Sequence, residues 1–360
     1  MLDEQIGQMI NIGFSGDTPD HPAVKTVLTQ IKRGEIGGVT LFSATAANSP
    51  RTNHQSPDVT GGTNDNIKTP EQVKQLIAAL KESATTHPLF VCVDQEGGLV
   101  QRLNSRNGFP NFKTAAWTAE NMTEQQAYDM YCQLSSVLAD IGFNFNFAPV
   151  VDIRRDYKSP AITKKRRSFG KNAATVTKFA EQVIKASDSC GIATSLKHFP
   201  GHGSAKKDSH LGFVDITNNW QPDELLPYKT LISEGLARSV MVSHVFNRNL
   251  DENFPASLSK NIITGILRHE LGFDGVVISD DLQMGAIKYH YSLQETVIQA
   301  ISAGTDILVF SNNLGESDAE LPQKIIAIVK QAVSDGQITA EQIEQAFERI
   351  VKLKNKNYSK

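Results

Sequence analysis

The chain has 360 residues, 40% of them hydrophobic, and a formal net charge of −3 at pH 7. This size and apolar content suit one large domain with a substantial core. The charge gives no electrostatic reason to expect a nucleic acid or an anionic membrane as partner, and the basic run 164–167 is too short to change that. Cys92, Cys132 and Cys190 form no Cys-x-x-Cys pair, so neither a disulfide framework nor a zinc–cysteine site is indicated.

No apolar run approaches the ~20 residues of a membrane-spanning helix, and the acidic N-terminus lacks the apolar segment of a secretory signal. These features predict a protein of a reducing compartment, the cytoplasm.

Eight short apolar runs along the chain predict β-strands. Most of the runs are continuous rather than alternating, as in parallel strands that are buried on both faces. The predicted strands span residues 8–13, 36–42, 89–94, 143–151, 192–198, 239–244, 275–280 and 306–311.

Helical patterns lie between these strands, and three of them begin with a capping box, a Ser or Thr followed three residues later by Glu or Gln. The boxes are Thr69 with Gln72, Thr123 with Gln126, and Ser292 with Glu295. Gly142 and Gly304 are positioned to end the second and third of these helices. Eight strand–helix alternations predict an α/β fold, a (β/α)8 TIM-type barrel that forms a single domain over residues 1–360. A doubly wound sheet is disfavoured because no Gly-x-Gly-x-x-Gly follows a predicted strand.

Two segments lie outside the regular alternation. Residues 43–68 form a polar insert after the second predicted strand, which we interpret as either a lid on the active-site face or a disordered decoration. From about Leu321 the chain continues as two amphipathic helices, broken at residues 335–336, which we expect to pack against the barrel.

Chemistry in such a barrel gathers at the carboxyl ends of the strands, and several predicted strands end in polar residues. Asp94, Asp152, His244 and Asp280 each lie at the end of a predicted strand, and residues 196–210 concentrate further titratable groups.

Residues 197–203 read Lys-His-Phe-Pro-Gly-His-Gly and are followed by Asp-Ser-His at 208–210. This motif resembles the signature of the β-N-acetylglucosaminidases of glycoside hydrolase family 3, in particular their single-domain bacterial branch of peptidoglycan recycling. The resemblance extends over nearly the whole chain. It implies an enzyme that removes terminal GlcNAc from muropeptide fragments through a covalent glycosyl–aspartate intermediate. No cofactor and no metal are expected, and we expect a monomer that acts on a small saccharide.

The resemblance also implies catalytic roles. Asp280, directly after Ser279, resembles the family's nucleophile, whereas Asp281 is a rival one residue away. Because side chains alternate along a strand, only one of the two aspartates can face the barrel axis. His210 is implied as the general acid/base with Asp208 as its partner, since a neighbouring carboxylate favours the protonated imidazole.

Substrate contacts are implied for the positions that match the family's sugar-binding residues. These are Asp94, Arg102, Arg167, Lys197 and His198, while His202 and His244 are expected to orient their neighbours. The chain departs from the family pattern at Leu99, where Arg is common, and at residues 165–166, where Lys-Arg replaces Gly-Glu. The loop that carries Arg167 therefore differs from the family's in composition.

Three alternatives stay open. Phosphate could replace water in the same site, which would make the protein a phosphorylase. A metal-dependent barrel hydrolase could use His198, His202, Asp208, His210 and His244, although residues 200–201 exclude the helix that a His-x-x-x-His zinc site needs. A sugar-binding protein without catalysis would leave Asp280 and the Asp208–His210 pair without a task.

Overall fold

The computed structural model describes residues 2–43, 65–155, 159–207, 212–312 and 317–358, so most of the predicted insert lies outside the described residues. Eight parallel strands form one barrel sheet in the described part of the chain. They are β1 Ile10–Ile12, β2 Gly38–Thr40, β3 Phe90–Val93, β4 Phe145–Asn146, β5 Ala193–Phe199, β6 Ser239–Val242, β7 Val276–Ser279 and β8 Leu308–Phe310. Each overlaps one predicted strand, and the predicted (β/α)8 barrel is confirmed.

Each strand pairs with the next one along the chain, from β1 to β7, and β8 pairs with β1. The ring closes between β7 and the start of β8. There Ile278 and Ile307 form a parallel bridge, and the Ser279 amide donates to the Ile307 carbonyl over 3.0 Å. Because the strands are parallel around the ring, their carboxyl ends meet at one mouth.

Helices surround the barrel between its strands. They are α1 Leu2–Gln8, α2 Pro22–Lys32, α3 Pro70–Glu82, α4 Ala115–Asn121, α5 Glu124–Ile141, α6 Ala173–Ser189, α7 Leu226–Ser233, a π-helix Asn261–Glu270, α8 Gly285–Lys288, α9 Leu293–Ala303, α10 Leu321–Ser334 and α11 Ala340–Tyr358. The three predicted capping boxes are present at the starts of α3, α5 and α9. Gly142 and Gly304 end α5 and α9 in the left-handed conformation that favours glycine. No helix in the described ranges combines the length and the apolarity that crossing a membrane requires.

Shorter elements connect these units. They are the strand pair Gln95–Gly97 and Val100–Gln101, the strand pair Val214–Asp215 and Val245–Phe246, and 3-10 turns at Ser105–Asn107, Pro222–Leu225 and Ala256–Leu258.

The C-terminal helices pack against the amino-terminal end of the barrel. Lys354 of α11 is 1% exposed, and its Nζ donates to Gln8 Oε1 over 2.6 Å and to the Gly37 carbonyl over 2.7 Å. The same ammonium lies 4.9 Å from the centre of the Phe90 ring. These contacts join the tail to the beginnings of the first strands, at the end opposite the mouth.

Candidate active site

The predicted site residues that the structure describes lie around the mouth of the barrel and contact one another or the strand ends. Asp208 and His210 lie outside the described residues, so their roles stay predictions.

The loop after β3 is folded back as a hairpin that brings Arg102 to Asp94. Gln95 holds this hairpin: its side chain donates to the Leu103 carbonyl over 2.8 Å and accepts from the Leu103 amide over 3.0 Å. As a result, Arg102 Nη2 lies 3.5 Å from Asp94 Oδ2.

Lys197, near the end of β5, is buried between two carboxylates of this hairpin. It is 2% exposed, and its Nζ lies 2.8 Å from Asp94 Oδ1 and 2.7 Å from Glu96 Oε1. Burial opposes the charge of the ammonium, but Asp94 and Glu96 outweigh it and raise the pKa of Lys197. Burial likewise opposes the charge of Asp94, yet Lys197 and Arg102 lower its pKa. Both groups are therefore charged at neutral pH.

Glu96 also binds Arg167, which comes from the loop after β4. Arg167 Nε donates to Glu96 Oε2 over 2.8 Å and Nη2 donates to Oε1 over 2.7 Å, a bidentate pair. Despite burial, Arg167 and Lys197 hold the pKa of Glu96 well below its usual range. Glu96 is not among the residues predicted for the site, although it stands two residues after Asp94 and precedes two glycines.

The hydrogen bonds of His198 determine its tautomer. Arg167 Nη2 lies 3.1 Å from His198 Nε2, and a guanidinium can only donate, so Nε2 accepts. Nδ1 therefore carries the proton and donates to Asp152 Oδ2 over 2.7 Å. Arg167 and Asp152 thus fix the imidazole from its two sides.

Asp152 lies at the end of the fourth predicted strand, where chemistry is expected, but the sequence indicates no particular role for it. It is 1% exposed, and its Oδ1 accepts from the backbone amides of His198 over 3.2 Å and His202 over 2.7 Å. Burial opposes its charge, but His198 and these hydrogen bonds lower its pKa. Burial lowers the pKa of His202 to about 4, so His202 is neutral at pH 7. Asp152 therefore anchors the Lys-His-Phe-Pro-Gly-His-Gly segment at two points.

The two aspartates after β7 have different partners. The Asp281 carboxylate accepts from the Gln283 amide over 3.1 Å and from the Ser311 amide over 2.9 Å, which joins its loop to the end of β8. Asp280 Oδ1 accepts from the Asp281 amide over 2.9 Å, and the Asp280 amide donates to the Val242 carbonyl at the end of β6. Asp281 thus binds backbone amides of its own loop and of the residue after β8.

His244, after β6, supports the same loop. It is fully buried, with Nε2 2.8 Å from the Asp281 carbonyl oxygen and Nδ1 2.7 Å from Ser257 Oγ. Because a carbonyl only accepts, Nε2 donates to it. His244 therefore holds the backbone that carries Asp280.

Within the described residues, no group of three or more His, Cys, Asp or Glu side chains is arranged to hold a metal ion. Two members of the metal set considered above, Asp208 and His210, lie outside those residues. His198 has both ring nitrogens engaged, by Arg167 and by Asp152, in the arrangement described above.

The sequence matches the description "Glycosyl hydrolase family 3 N terminal domain" over residues 1–353. It is 29% identical to Beta-hexosaminidase A of Pseudoalteromonas piscicida over 347 residues, which are 91% of this chain and 54% of that protein. The chain thus spans about half the length of that relative. It is 34% identical to Beta-hexosaminidase LpqI of Mycobacterium tuberculosis over 278 residues, which are 75% of this chain and 69% of that protein.

The fold is also similar to a solved structure, the Beta-N-acetylhexosaminidase from Beutenbergia cavernae. The two share 28% identity with a TM-score of 0.82, and the match covers 99% of this chain and 98% of the other. The match to the family over nearly the whole chain, the likeness to its members and the barrel agree with the resemblance carried by residues 197–210. The chain belongs to glycosyl hydrolase family 3.

Proposed function

We propose that the protein is a retaining exo-β-N-acetylglucosaminidase that removes terminal GlcNAc from muropeptide fragments. The observation that carries the proposal is the difference between the two aspartates after β7. The Asp281 carboxylate is bound by the amides of Gln283 in its own loop and of Ser311 after β8, which makes Asp280 the candidate nucleophile at the mouth. The relatives named Beta-hexosaminidase support the same activity.

In the proposed reaction, an Asp280 oxygen attacks the anomeric carbon while the glycosidic C–O bond breaks. His210 gives its proton to the departing oxygen, and Asp208 supports the protonated imidazole. Water then attacks the anomeric carbon of the glycosyl–Asp280 ester, His210 takes up a proton from that water, and the Asp280 carboxylate leaves. Two inversions at one carbon retain the β configuration.

The charged cluster of β3, β4 and β5 is proposed to bind the sugar. Its ion pairs and hydrogen bonds are present without a ligand. Lys197 lies between Asp94 and Glu96, and Arg167 lies between Glu96 and His198. Sugar hydroxyls need donors and acceptors at defined positions, and a cluster held by mutual ion pairs does not have to rearrange when the ligand binds. Asp94, with its side chain 22% exposed, is the member that we propose to face a hydroxyl.

The proposal is tested by trapping with a 2-fluoro glycoside and mapping the labelled peptide by mass spectrometry. We expect a covalent adduct on Asp280 in the wild type and in Asp281→Asn, and none in Asp280→Asn. An adduct on Asp281 would reassign the nucleophile. Absence of both an adduct and nitrophenyl-GlcNAc turnover would favour the sugar-binding alternative.

The acceptor and the leaving group need separate measurements. We expect the rate of nitrophenyl-GlcNAc cleavage to be unchanged by added phosphate, whereas formation of GlcNAc 1-phosphate would indicate the phosphorylase. For the leaving group, we expect faster GlcNAc release from muropeptide fragments than from chitobiose. The opposite order would contradict the muropeptide part of the proposal. We also propose that the protein is a monomer, which light scattering tests, and that it is located in the cytoplasm, which cell fractionation tests.

A further inference from the structure

Glu224 is a buried acid that the proposed reaction does not use. It lies in the 3-10 turn Pro222–Leu225, directly before α7, and is 1% exposed. Its Oε1 lies 3.6 Å from Arg155 Nε, and its Oε2 makes no hydrogen bond to any residue in the described part of the chain. A buried carboxylate oxygen without a hydrogen bond is costly, which requires an explanation.

This carboxyl packs against residues 200–204, which belong to the segment that carries the family motif. A Cβ built on Gly201, whose φ is +129°, would lie 2.5 Å from Glu224 Oε2, so the carboxyl fills the space beside that glycine. The fully buried Ser204 hydroxyl faces the same carboxyl. One turn earlier, Trp220 Nε1 donates to the Pro200 carbonyl over 3.0 Å. The turn that holds Glu224 therefore packs against residues 200–204.

A second buried carboxyl group, that of Asp152, holds the same segment by accepting from the His198 and His202 amides. The segment thus contacts two buried carboxyl groups. A displacement at Gly201 or Ser204 would move the amide of His202 away from Asp152, and would move His198 with it. The position of the Glu224 carboxyl therefore affects the position of His198, which belongs to the cluster that is proposed to bind the sugar.

We infer that Glu224 is a positioning residue for the proposed reaction: its neutral carboxyl holds Gly201 and Ser204 in place, and its ionisation releases them. The inference rests on the proposed function. A neutral carboxyl has an O–H that can donate locally and carries no charge to solvate. An ionised one would require water or a cation in a space that the Gly201 backbone now fills.

Burial favours the neutral form of Glu224, and its charged neighbours act in opposite directions. Burial raises the pKa of Glu224 to about 7, Arg155 opposes this rise, and Asp152 adds to it as a like charge. Arg155 is already paired with both carboxylate oxygens of Asp223, one of them at 3.2 Å, so it is not available to Glu224 alone. Tyr228 of α7 is buried beside them, and burial, with Asp152 and Glu224, raises its pKa well above the usual value.

The experiment is the pH profile of kcat/KM between pH 5 and 9 for a dinitrophenyl GlcNAc glycoside. This leaving group needs no proton, and kcat/KM reports the first irreversible step, so ionisation of the general acid does not enter the profile. We expect the wild-type kcat/KM to fall about tenfold per pH unit above pH 7, as a single ionisation requires. Glu224→Gln, which is neutral at every pH, should keep its activity over that range.

Asp223→Asn is the matched control, because it removes the neighbouring carboxylate that binds the same arginine. It should keep an alkaline decrease, which begins at a lower pH than in the wild type because Arg155 then pairs with Glu224 alone. An alkaline decrease that persists unchanged in Glu224→Gln, or one that also disappears in Asp223→Asn, would overturn the inference. Glu224→Ala provides a second measurement: a folded variant with wild-type kcat/KM at pH 6 would also overturn it. Absence of any turnover by the wild type would instead refute the proposed function.

Discussion

Replacing Lys197 with Met should test whether the charged cluster at the mouth is a mutually dependent unit. The ammonium lies 2.8 Å from Asp94 and 2.7 Å from Glu96 and is 2% exposed, so its loss leaves two carboxylates with less compensation. Breaking a buried ion pair by removing one partner costs about 3–5 kcal/mol of unfolding free energy. In the variant, Asp94 still has Arg102 at 3.5 Å and Glu96 still has its bidentate pair with Arg167. We therefore expect a loss of unfolding free energy at the lower end of this range, about 3 kcal/mol.

The pH dependence of this loss has a defined sign. The pKa of each carboxyl, Asp94 and Glu96, is lowered in the folded protein. Their contribution to stability is therefore fully present above the unfolded pKa of about 4 and is lost as the pH falls through the folded pKa. Without Lys197 both folded pKa values rise, and protonated carboxyls need no cation. The difference in unfolding free energy between wild type and variant should therefore shrink as the pH is lowered toward 3.

Urea denaturation monitored by circular dichroism at several pH values measures both effects. Lys178→Met is the matched control, because Lys178 pairs with Glu124 on the surface, with both side chains about half exposed. It should change the unfolding free energy by less than about 1 kcal/mol. Glu96→Gln should cost less unfolding free energy in the Lys197→Met background than in the wild type, because the two residues share one ion pair. A loss below about 1 kcal/mol for Lys197→Met, or one independent of pH, would refute the reasoning.

Three further predictions concern catalysis and the opposite end of the barrel. Asp280→Ala should abolish turnover of nitrophenyl-GlcNAc without changing the unfolding free energy by more than about 1 kcal/mol, and retained activity would contradict the assigned nucleophile. His210→Ala should slow muropeptide cleavage far more than cleavage of a dinitrophenyl glycoside, since only the former needs the proton, and equal losses would contradict the acid role. Burial lowers the pKa of Lys354 to about 7, so the unfolded chain binds more protons between pH 7 and about 10, and wild-type stability should rise with pH over that range relative to Lys354→Met. Parallel urea midpoints from pH 7 to 9.5 would contradict the last prediction.

Local rules were sufficient for the elements of the fold. The continuous apolar runs, the capping boxes that begin α3, α5 and α9, and the glycines that end α5 and α9 act over a few residues, so they can be read from the sequence. Eight such alternations favour a barrel, and a parallel barrel places its strand ends at one mouth. The polar residues at those ends could therefore be grouped before any contact was known.

The partners within that group were decided by the tertiary structure. Glu96 and Arg167 are 71 residues apart, and Asp152 and His198 are 46 apart, so no local pattern connects them. Asp280 and Asp281 are the same residue type, and in the structure the amides of Gln283 and Ser311 bind Asp281. Glu224 carries no motif, and its character depends on burial against a glycine that is 23 positions earlier in the sequence.

The physical reason for this division is the range of the interactions. Helix caps and strand patterns depend on neighbours in the chain, whereas ion pairs, tautomers and pKa values depend on desolvation and on charges that only the folded barrel brings together. The sequence alone therefore determined which elements form and which residue types reach the mouth. The tertiary structure decided which carboxylate faces which cation, and which acid is buried against a glycine.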